Sequence, residues 1–340
     1  MATSLSARFY GVGKELRLEE VPVPSLGDDD VELELKAAGV CHSDLHTMHG
    51  MGNQKNLPMT LGHEGSGIIA AVGRSVKNVS VGDRVGYDYI WSCGRCSYCL
   101  SGRENICDSK SRSEGTWQER IIVPARHVHK IPAGLGFPEG AVLNCAVMTG
   151  YHATKLAETK PGVSVLVYGL GGVGMNLLKW TKLAGAAEII AVDSDEERLR
   201  VAKREGATIT INPTERYPLE EVKRLTSGGV DIAFEVIGKT ETVRNTLSSV
   251  RQGGKSVLIG QLWEPFQIHI LKDIQFGEKR ILSPEDHTKS EIYEVLRLIE
   301  TNRFQFGDSI THRFPLREAN QAVNVLQNRI GNPGRVILEP

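Results

Sequence analysis

Apolar residues are arranged in two different patterns along the chain, and the pattern changes near residue 160. Between residues 5 and 90, short apolar stretches such as VELELKAAGV and DRVGYDY are broken by Gly, Pro and Asp, which predicts strands and no helix. From about Lys160, apolar runs such as SVLVYG and KSVLIG alternate with segments of helical spacing such as MNLLKWTKLAGA. This alternation predicts βαβ units and a doubly wound parallel sheet, so the fold class is α/β.

The end of the chain carries a third pattern. Two segments of helical spacing, SEIYEVLRLIETN and REANQAVNVLQNR, precede the strand-like GRVILEP. At 340 residues, two domains are expected. We therefore predict a β-rich domain over residues 1–150, an α/β domain over 151–285, and a terminal segment over 286–340 that returns to the β-rich domain.

Composition narrows the class of partner. The formal net charge is −1 and basic residues are scattered, which argues against a nucleic acid or an anionic membrane as partner. No apolar run approaches the roughly 18 residues that a membrane span needs. The N-terminal stretch lacks an apolar signal core, so we expect a cytoplasmic protein. In a chain of this kind, the six cysteines favour metal binding or catalysis over disulfides.

A glycine-rich stretch, GLGGVG, follows an apolar run and opens a helical segment. In a dinucleotide site the first glycine allows a tight turn, the second a close approach of pyrophosphate, and the third close packing of helix on strand. Asp193 ends the next apolar run, near the ~20-residue offset of an acid that binds the adenosine ribose, and would repel a 2′-phosphate. An ordinary βα turn is the alternative, but the context favours NAD. The candidate coenzyme residues in the loop are Gly169, Leu170, Gly171, Gly172, Val173 and Gly174.

Four cysteines are clustered in a lobe spanning about residues 92–112: Cys93, Cys96, Cys99 and Cys107. Four thiolates on one loop can enclose a tetrahedral zinc ion and leave it no open position, which is typical of a structural site. An iron–sulfur cluster or unligated reduced thiols are the alternatives. We predict zinc.

Other potential ligands are scattered along the sequence. A catalytic zinc takes three protein ligands, and two cysteines with one histidine are a known set. Cys41, His63 and Cys145 could supply it. Taken one at a time, each has a plainer interpretation, since free cysteines are often small buried residues and a lone histidine is often a hydrogen-bonded core residue.

Several segments together resemble the zinc-dependent medium-chain alcohol dehydrogenases. GHEGSGIIAAVGRSV, residues 62–76, resembles their zinc signature, CHSDLH resembles their first-ligand segment, and NCAVMTGYHA resembles the segment of their third ligand. The four-cysteine lobe, the glycine-rich loop and the closing GRVIL occur in the same order as in that family. The resemblance covers essentially the whole chain. It implies a GroES-like catalytic domain combined with a Rossmann coenzyme-binding domain.

The resemblance assigns roles to residues around the predicted catalytic zinc. It implies that Cys41, His63 and Cys145 bind this zinc and that Glu64 is an alternate ligand. It also implies that Asp44 accepts a hydrogen bond from the ring of His63, a support that ligating histidines usually have.

Proton transfer and coenzyme contacts follow from the same resemblance. Ser43 and His46 correspond to the family's proton relay. Further coenzyme contacts are implied at His42, Arg198, Ile237 and Arg335, with His42 and Arg335 near the pyrophosphate and Arg198 near the adenosine ribose.

Substrate-facing positions are less well defined. Tyr89 and Trp117 fall in segments that line the family's substrate pocket, although plain core aromatics are an equal alternative. ILSPEDHTKS, residues 281–290, departs from the Gly-Ser pair that relatives often carry there, and Pro284 stiffens the turn. This departure bears on the range of substrates.

The activity implied is reversible oxidation of a primary or secondary alcohol to an aldehyde or ketone with NAD and two zinc ions per chain. The chain length resembles that of bacterial and archaeal members, which are usually homotetramers. Related enzymes acting on polyols, threonine or alicyclic alcohols remain alternatives, although Cys145 replaces the Glu usual in the polyol type. A non-catalytic NAD-binding protein on this fold is a remote alternative.

Overall fold

The computed structural model describes residues 2–52, 54, 56–112 and 115–340, and these form two compact units. Unit one contains residues 1–145, 292–300 and 305–340; unit two contains residues 146–291 and 301–304. The chain passes to unit two after Cys145 and returns after Glu291. A short return to unit two at residues 301–304 then interrupts the terminal part of unit one.

Unit one is built mainly of strands. They are β1 (Thr3–Phe9), β2 (Arg17–Pro22), β3 (Asp30–Val40), β4 (Met59–Thr60), β5 (Glu64–Val72), β6 (Arg84–Tyr87), β7 (Ile90–Trp91), β8 (Ser111–Arg112), β9 (Arg120–Pro124), β10 (Val128–Lys130), β17 (Ile310–Pro315) and β18 (Arg335–Glu339). The largest sheet has the order β10-β6-β5-β3-β18-β17, and β9 also pairs with β3. Smaller sheets join β2-β1-β4 and β7-β8.

Strand β3 shows why this sheet forms. Val31, Leu33 and Leu35 are almost completely buried, and the side chains between them are half-buried. Successive side chains of a strand point to opposite faces, so this alternation places one face of β3 in the core. The antiparallel neighbours β5 and β18 both pair with β3, and both begin beside the end of β3.

Helices complete unit one: α1 (His42–Met48), α2 (Ser97–Leu100), α3 (Phe137–Val142), α10 (Ala319–Gln327) and most of α9 (Lys289–Glu300), which contains the second crossing. The prediction of strands alone between residues 5 and 90 was wrong at α1. The carboxylate of Asp44 accepts the backbone N–H of Cys41 at 2.8 Å, and such a cap at the first turn stabilises a short helix. The strand-like pattern of the surrounding residues gave no indication of this helix.

Unit two is the doubly wound α/β unit that the sequence predicted. Its strands are β11 (Ser164–Tyr168), β12 (Glu188–Val192), β13 (Ile209–Ile211), β14 (Val230–Glu235), β15 (Val250–Leu258) and β16 (Arg280–Leu282). They form one parallel sheet in the order β13-β12-β11-β14-β15-β16. Its helices are α4 (Met148–Leu156), α5 (Gly172–Leu183), α6 (Glu196–Glu205), α7 (Pro218–Leu225) and α8 (Thr240–Ser249).

The strand order of unit two reverses between β11 and β14. In an open parallel sheet, ligands bind beyond the carboxyl ends of the strands at such a reversal. The glycine-rich loop follows β11 directly and therefore lies at this point. β11 and β12 are buried on both faces, which explains their continuous apolar runs.

Short helical turns occupy several connections: 3₁₀ turns at Glu104–Ile106, Ala125–His127, Gln275–Gly277, Gly307–Ser309 and Leu316–Glu318, and π turns at Leu143–Val147 and Ile270–Ile274. The π turn at Leu143–Val147 carries Cys145. Among the described residues, none of the helices combines the length and the apolar character that a membrane crossing requires.

Candidate zinc and coenzyme sites

Three strand ends of unit one meet at one place and bring the scattered ligand candidates together. Cys41 follows the last residue of β3, His63 precedes the first residue of β5, and Arg335 begins β18. Because β5 and β18 run antiparallel to β3, their first residues lie beside the end of β3. Residues far apart in sequence therefore converge.

Four potential metal ligands form a buried cluster in this place. The donor atoms of Cys41, His63, Glu64 and Cys145 all lie within 4.8 Å of one another, and the two sulfur atoms are 3.9 Å apart. A side chain at Gly39, paired with Glu64 across the strands, would collide with the Glu64 carboxylate. Because glycine has no side chain, the carboxylate of Glu64 can pack directly over the backbone of Gly39.

Asp44 orients the first two ligands. Its Oδ1 lies 3.3 Å from Nδ1 of His63, and its Oδ2 accepts the backbone N–H of Cys41. Although burial lowers the pKa of His63, the charge and hydrogen bond of Asp44 raise it well above its ordinary value. With Nδ1 bound to Asp44, Nε2 is the nitrogen of His63 available for a metal.

The pKa values of the two cysteines shift in opposite directions. The hydrogen bond from Cys145 lowers the pKa of Cys41 well below its ordinary value, with further help from Arg335 and His63 and against burial. The same hydrogen bond, together with burial, raises the pKa of Cys145. Cys41 is thus disposed to be a thiolate, and a bound dication would deprotonate its neighbour as well.

Glu64 and Arg335 are a buried ion pair beside the thiols. Nη1 of Arg335 lies 3.2 Å from Oε1 of Glu64, and Nη2 lies 3.8 Å from the sulfur of Cys145. Burial raises the pKa of Glu64 to about 7, and Arg335 opposes the rise. Neither carboxylate oxygen of Glu64 makes a hydrogen bond within the described residues. Two thiols, an imidazole and a carboxylate match the ligands that zinc takes, so the residues fit the metal.

The other predicted residues around this cluster have varied environments. Ser43 and His46 lie on α1 with half-buried side chains, and His42 is exposed. Tyr89 is buried and meets the ring of His63 edge-on, with 4.7 Å between centroids. Trp117 is a core residue whose indole N–H donates to the carbonyl of Gly39 at 3.0 Å. Trp117 therefore packs in the core of unit one and bonds to β3.

The four clustered cysteines also converge. The sulfurs of Cys93, Cys96, Cys99 and Cys107 lie within 4.8 Å of one another, with 3.5 Å between Cys96 and Cys99. Backbone N–H groups of Arg95 and Cys96 lower the pKa of Cys93 to about 6, whereas burial and Cys96 raise that of Cys99 to about 11. Backbone donors aimed at sulfur stabilise thiolates, and four such sulfurs suit a closed zinc site.

The glycine-rich loop of unit two has space where a pyrophosphate would need it. Gly169 has a φ of +101°, and a Cβ there would lie 2.6 Å from Cγ1 of Ile237. A Cβ at Gly174 would collide with the carbonyl oxygen of Gly169, whereas a Cβ at Gly171 would meet nothing within 4 Å. The first and third glycines are therefore required by packing, and the second faces open space, as a dinucleotide site needs.

Asp193 lies beside this loop. Its Oδ2 accepts the backbone N–H of Leu170 at 2.8 Å, and its Oδ1 accepts that of Asp195 at 3.0 Å. Nη1 of Arg198 lies 3.9 Å from the same carboxylate. The structure therefore groups Asp193, Arg198 and the loop, and it places Ile237 against Gly169 at the neighbouring strand end.

Two features were missed from the sequence. One is the pairing of Arg335 with Glu64, since a salt bridge between distant residues has no local signal. The other is Glu235, a fully buried carboxylate at the end of β14. Its only sequence signal was a single acid within the apolar stretch VDIAFEVIG.

Two family models match the chain. Residues 27–133 match the alcohol dehydrogenase GroES-like domain, and residues 172–301 match the zinc-binding dehydrogenase domain. The two matches fall mainly in unit one and unit two respectively. Together they account for the β-rich unit with the cysteines and for the parallel-sheet unit with the glycine-rich loop, which confirms the predicted fold class.

Named proteins are similar over nearly the full length. An alcohol dehydrogenase of Geobacillus stearothermophilus is 34% identical over 333 residues, covering 96% of each chain. An L-threonine 3-dehydrogenase of Bacillus velezensis is 32% identical over 338 residues, covering 95% of each chain. A solved structure, provisionally described as a zinc-binding dehydrogenase from Sinorhizobium meliloti 1021 bound to NADP, is 29% identical with a TM-score of 0.90 and covers 100% of both chains.

Proposed function

Since this chain belongs to the zinc-dependent medium-chain alcohol dehydrogenase family, we propose that it catalyses NAD-linked, reversible oxidation of a primary or secondary alcohol to an aldehyde or ketone. The observation that carries the proposal is the buried cluster of Cys41, His63, Glu64 and Cys145. Relatives named for different alcohols share the fold, so the cluster supports the reaction class better than any particular substrate.

The cluster would hold the catalytic zinc. Cys41, His63 and Cys145 supply three ligands, and Glu64 is close enough to serve as an alternate fourth. When bound, zinc supplies a Lewis acid that favours the alkoxide form of an alcohol. Asp44 keeps the ring of His63 in one tautomer and orientation. Arg335 balances the charge of Glu64 in a place that excludes water.

Proton removal falls to two residues of α1. We propose that the hydroxyl of Ser43 accepts the proton of the substrate alcohol while donating its own, and that His46 passes a proton on to solvent. His42 and Arg335 are proposed to approach the coenzyme pyrophosphate. For Arg335 this contact would be additional to its pairing with Glu64.

The glycine-rich loop and Asp193 would hold the coenzyme. The open space beside Gly171 suits a pyrophosphate, and the carboxylate of Asp193 suits the adenosine ribose hydroxyls. Ile237 and Arg198 are further proposed contacts. When bound, NAD supplies the hydride acceptor. The negative charge of Asp193 disfavours a 2′-phosphate, so we propose NAD rather than NADP.

A second zinc would stabilise the four-cysteine lobe. Its four sulfurs leave no ligand position for a substrate, so its contribution would be to folding. The proposed content is therefore two zinc ions per chain.

NADH formation against a panel of primary, secondary, aromatic and cyclic alcohols, polyols and L-threonine tests the proposal. Cys145→Ser, in enzyme of known zinc content, is the control for the metal. We expect the wild type to oxidise simple alcohols and the Cys145→Ser variant to lose this activity. A zinc-loaded preparation that oxidises none of the panel would contradict the proposal and favour the non-catalytic alternative.

Threonine oxidation is the second candidate, because the relative from Bacillus velezensis is named for it and is nearly as similar as the alcohol dehydrogenase. A kcat/KM for L-threonine exceeding that of every simple alcohol would favour this candidate. Polyol oxidation has less support, since Cys145 stands in the cluster where that type usually has Glu.

We also propose a homotetramer in the cytoplasm, on the basis of chain length and composition. The turns that precede β16 in the chain carry exposed apolar side chains, Phe276 at 73% and Ile270 at 62% exposure. Exposed apolar side chains favour association. Light scattering on the purified protein measures the oligomeric state, and a monomer would contradict this part of the proposal.

A further inference from the structure

A buried carboxylate holds the loop that follows β14. Glu235 is fully buried, and its Oε1 accepts the backbone N–H groups of Ile237 and Gly238, both at 2.9 Å, and the hydroxyl of Thr242 at 2.7 Å. Three donors on one oxygen fix the backbone of the loop and the start of α8 together. Removing this acceptor would leave those donors without their partner at a mostly buried position.

The same residue also joins the neighbouring loop. The backbone carbonyl of Glu235 accepts the N–H groups of Ile259 and Gly260 at 2.8 and 3.1 Å. A Cβ at Gly260 would lie 2.6 Å from Oε2 of Glu235 and would collide with the backbone of Gly238. The loops after β14 and β15 are therefore in close contact, and Glu235 lies between them.

Ile237 connects these loops to the glycine-rich loop. β11 and β14 are neighbours with Tyr168 opposite Glu235, so their carboxyl ends lie at the same edge of the sheet. Ile237 packs against Gly169, where a Cβ would lie 2.6 Å from its Cγ1, yet Ile237 is 38% exposed. Its apolar side chain thus faces solvent beside the proposed pyrophosphate loop, where a coenzyme ribose or ring could pack.

We propose that Glu235 is a positioning residue for the dinucleotide. Its side chain sets the position of Ile237 and, through Ile237, the shape of the proposed coenzyme site at the carboxyl ends of β11 and β14. The inference rests on the proposed function, because it requires that NAD binds at this edge. Glu235 touches no reacting group and acts only through the loop.

The acceptor atom matters here more than the charge. Burial raises the pKa of Glu235, and its hydrogen bonds from Thr242, Gly238 and Ile237 oppose the rise. Oε2 has no hydrogen-bond partner within the described residues. A glutamine could therefore present the same Oε1 to the same three donors, whereas an alanine could not.

Asp231 provides a matched control on the same strand. It accepts the backbone N–H and the hydroxyl of Ser164 at 2.8 and 2.9 Å, so it is also a carboxylate with several bonds in unit two. It is the second residue of β14 and therefore lies at the amino ends of the strands, whereas the proposed coenzyme site lies at their carboxyl ends. Asp231→Ala should reduce stability without changing coenzyme affinity.

The experiment measures the Kd of NADH by fluorescence titration for the wild type, Glu235→Gln, Glu235→Ala and Asp231→Ala. All are compared below their melting temperatures, with far-ultraviolet circular dichroism as the folding check. We expect Glu235→Ala to raise Kd about tenfold or more, Glu235→Gln to stay within about threefold, and Asp231→Ala to match wild type. The zinc content, which depends on unit one, should be the same in all four.

If Glu235→Ala does not fold, Thr242→Val replaces it, because this variant removes one of the three donors and leaves the carboxylate. A rise in Kd of about threefold is then expected, since Glu235 loses one of its three donors, and the contacts of the hydroxyl with the Lys239 backbone are lost as well. A folded Thr242→Val with unchanged Kd would overturn the inference in that case.

The remaining outcomes separate the inference from the proposed function. Wild type that binds NADH, with Glu235→Ala binding equally well, overturns the inference alone. Asp231→Ala weakening NADH binding as much as Glu235→Ala, or folded Glu235→Gln binding as poorly as Glu235→Ala, also overturns it. Wild-type protein that binds neither NADH nor NADPH overturns the proposed function and the inference together.

Discussion

Nη1 of Arg335 lies 3.2 Å from Oε1 of Glu64, and both side chains are almost completely buried beside the sulfur of Cys145. The pair joins the first residue of β18 to the first residue of β5. A buried charge that loses its partner is costly, whereas replacing both charges together is often tolerated. The relationship therefore predicts strong coupling between the two residues.

Arg335→Met should lower the free energy of unfolding by about 3–5 kcal/mol, because it leaves the Glu64 carboxylate unpaired in a dry environment. Chemical denaturation measures the change. The double variant Glu64→Gln/Arg335→Met should be more stable than Arg335→Met alone. Additive effects of the two single substitutions would show that the residues are not coupled.

The two cysteine clusters should have separable roles. Cys145→Ser should reduce NAD-linked alcohol oxidation by about a hundredfold or more while leaving the melting temperature near that of wild type. Cys99→Ser, its matched control in the other cluster, should mainly destabilise the protein. Elemental analysis should find two zinc ions per wild-type chain. A fully active preparation with one zinc per chain would contradict the assignment.

Asp193 should set the coenzyme preference. Asp193→Gly removes the charge that disfavours a 2′-phosphate, so the ratio of kcat/KM for NADP to that for NAD should rise by about tenfold or more. It also removes the acceptor of the Leu170 N–H, so affinity for NAD should fall. Steady-state kinetics with both coenzymes test this. A wild-type enzyme that already prefers NADP would show that the interpretation of Asp193 is wrong.

The relay predicts different effects at its two positions. Ser43→Ala removes the inner acceptor, so kcat for alcohol oxidation should fall severely at every pH. His46→Gln removes only the outer acceptor, so the loss should be about a hundredfold or less, with partial restoration by small diffusible bases. Single-turnover kinetics avoid masking by slow NADH release. An unchanged pH–rate profile in His46→Gln would indicate that His46 has no part in proton transfer.

Acid stability of unit two should depend on Glu291. Burial raises the pKa of Glu291, but the net shift is downward from the ordinary value of 4.5. The pKa is lowered by the hydrogen bond and charge of His152 at 3.0 Å, by the backbone N–H of Thr288 and by the charge of Lys155. A depressed folded-state pKa adds stability that is complete above the unfolded value, near 4.5, and disappears as the pH falls through the lower folded value.

Glu291→Gln should therefore be less stable than wild type above about pH 4.5, and the difference should shrink as the pH falls further. Thermal unfolding across this pH range measures the effect. Glu300→Gln, at an exposed position of the same helix, is the control and should track wild type throughout. If the difference in stability between wild type and Glu291→Gln stayed constant down to strongly acid pH, the predicted linkage would be wrong.

Local patterns in the sequence determined much of the fold and of the ligand inventory. The alternating strands and helices of unit two, the glycine-rich loop and the closely spaced Cys93, Cys96 and Cys99 are each coded within short stretches, because the spacing of residues itself sets the geometry. Residue type alone made Cys41, His63 and Cys145 a possible ligand set, and only the resemblance to a family favoured their grouping, since no local spacing links them.

Tertiary structure alone decided the features that depend on which strands become neighbours. The start of β18 lies beside the end of β3, and this places Arg335 against Glu64. The pairing of β11 with β14 brings Ile237 and the buried Glu235 beside Gly169. The core position of Trp117 was likewise set by a contact at a distance, since its indole N–H donates to the carbonyl of Gly39. A single chain segment cannot encode such contacts, because burial and charge pairing depend on atoms that distant segments supply.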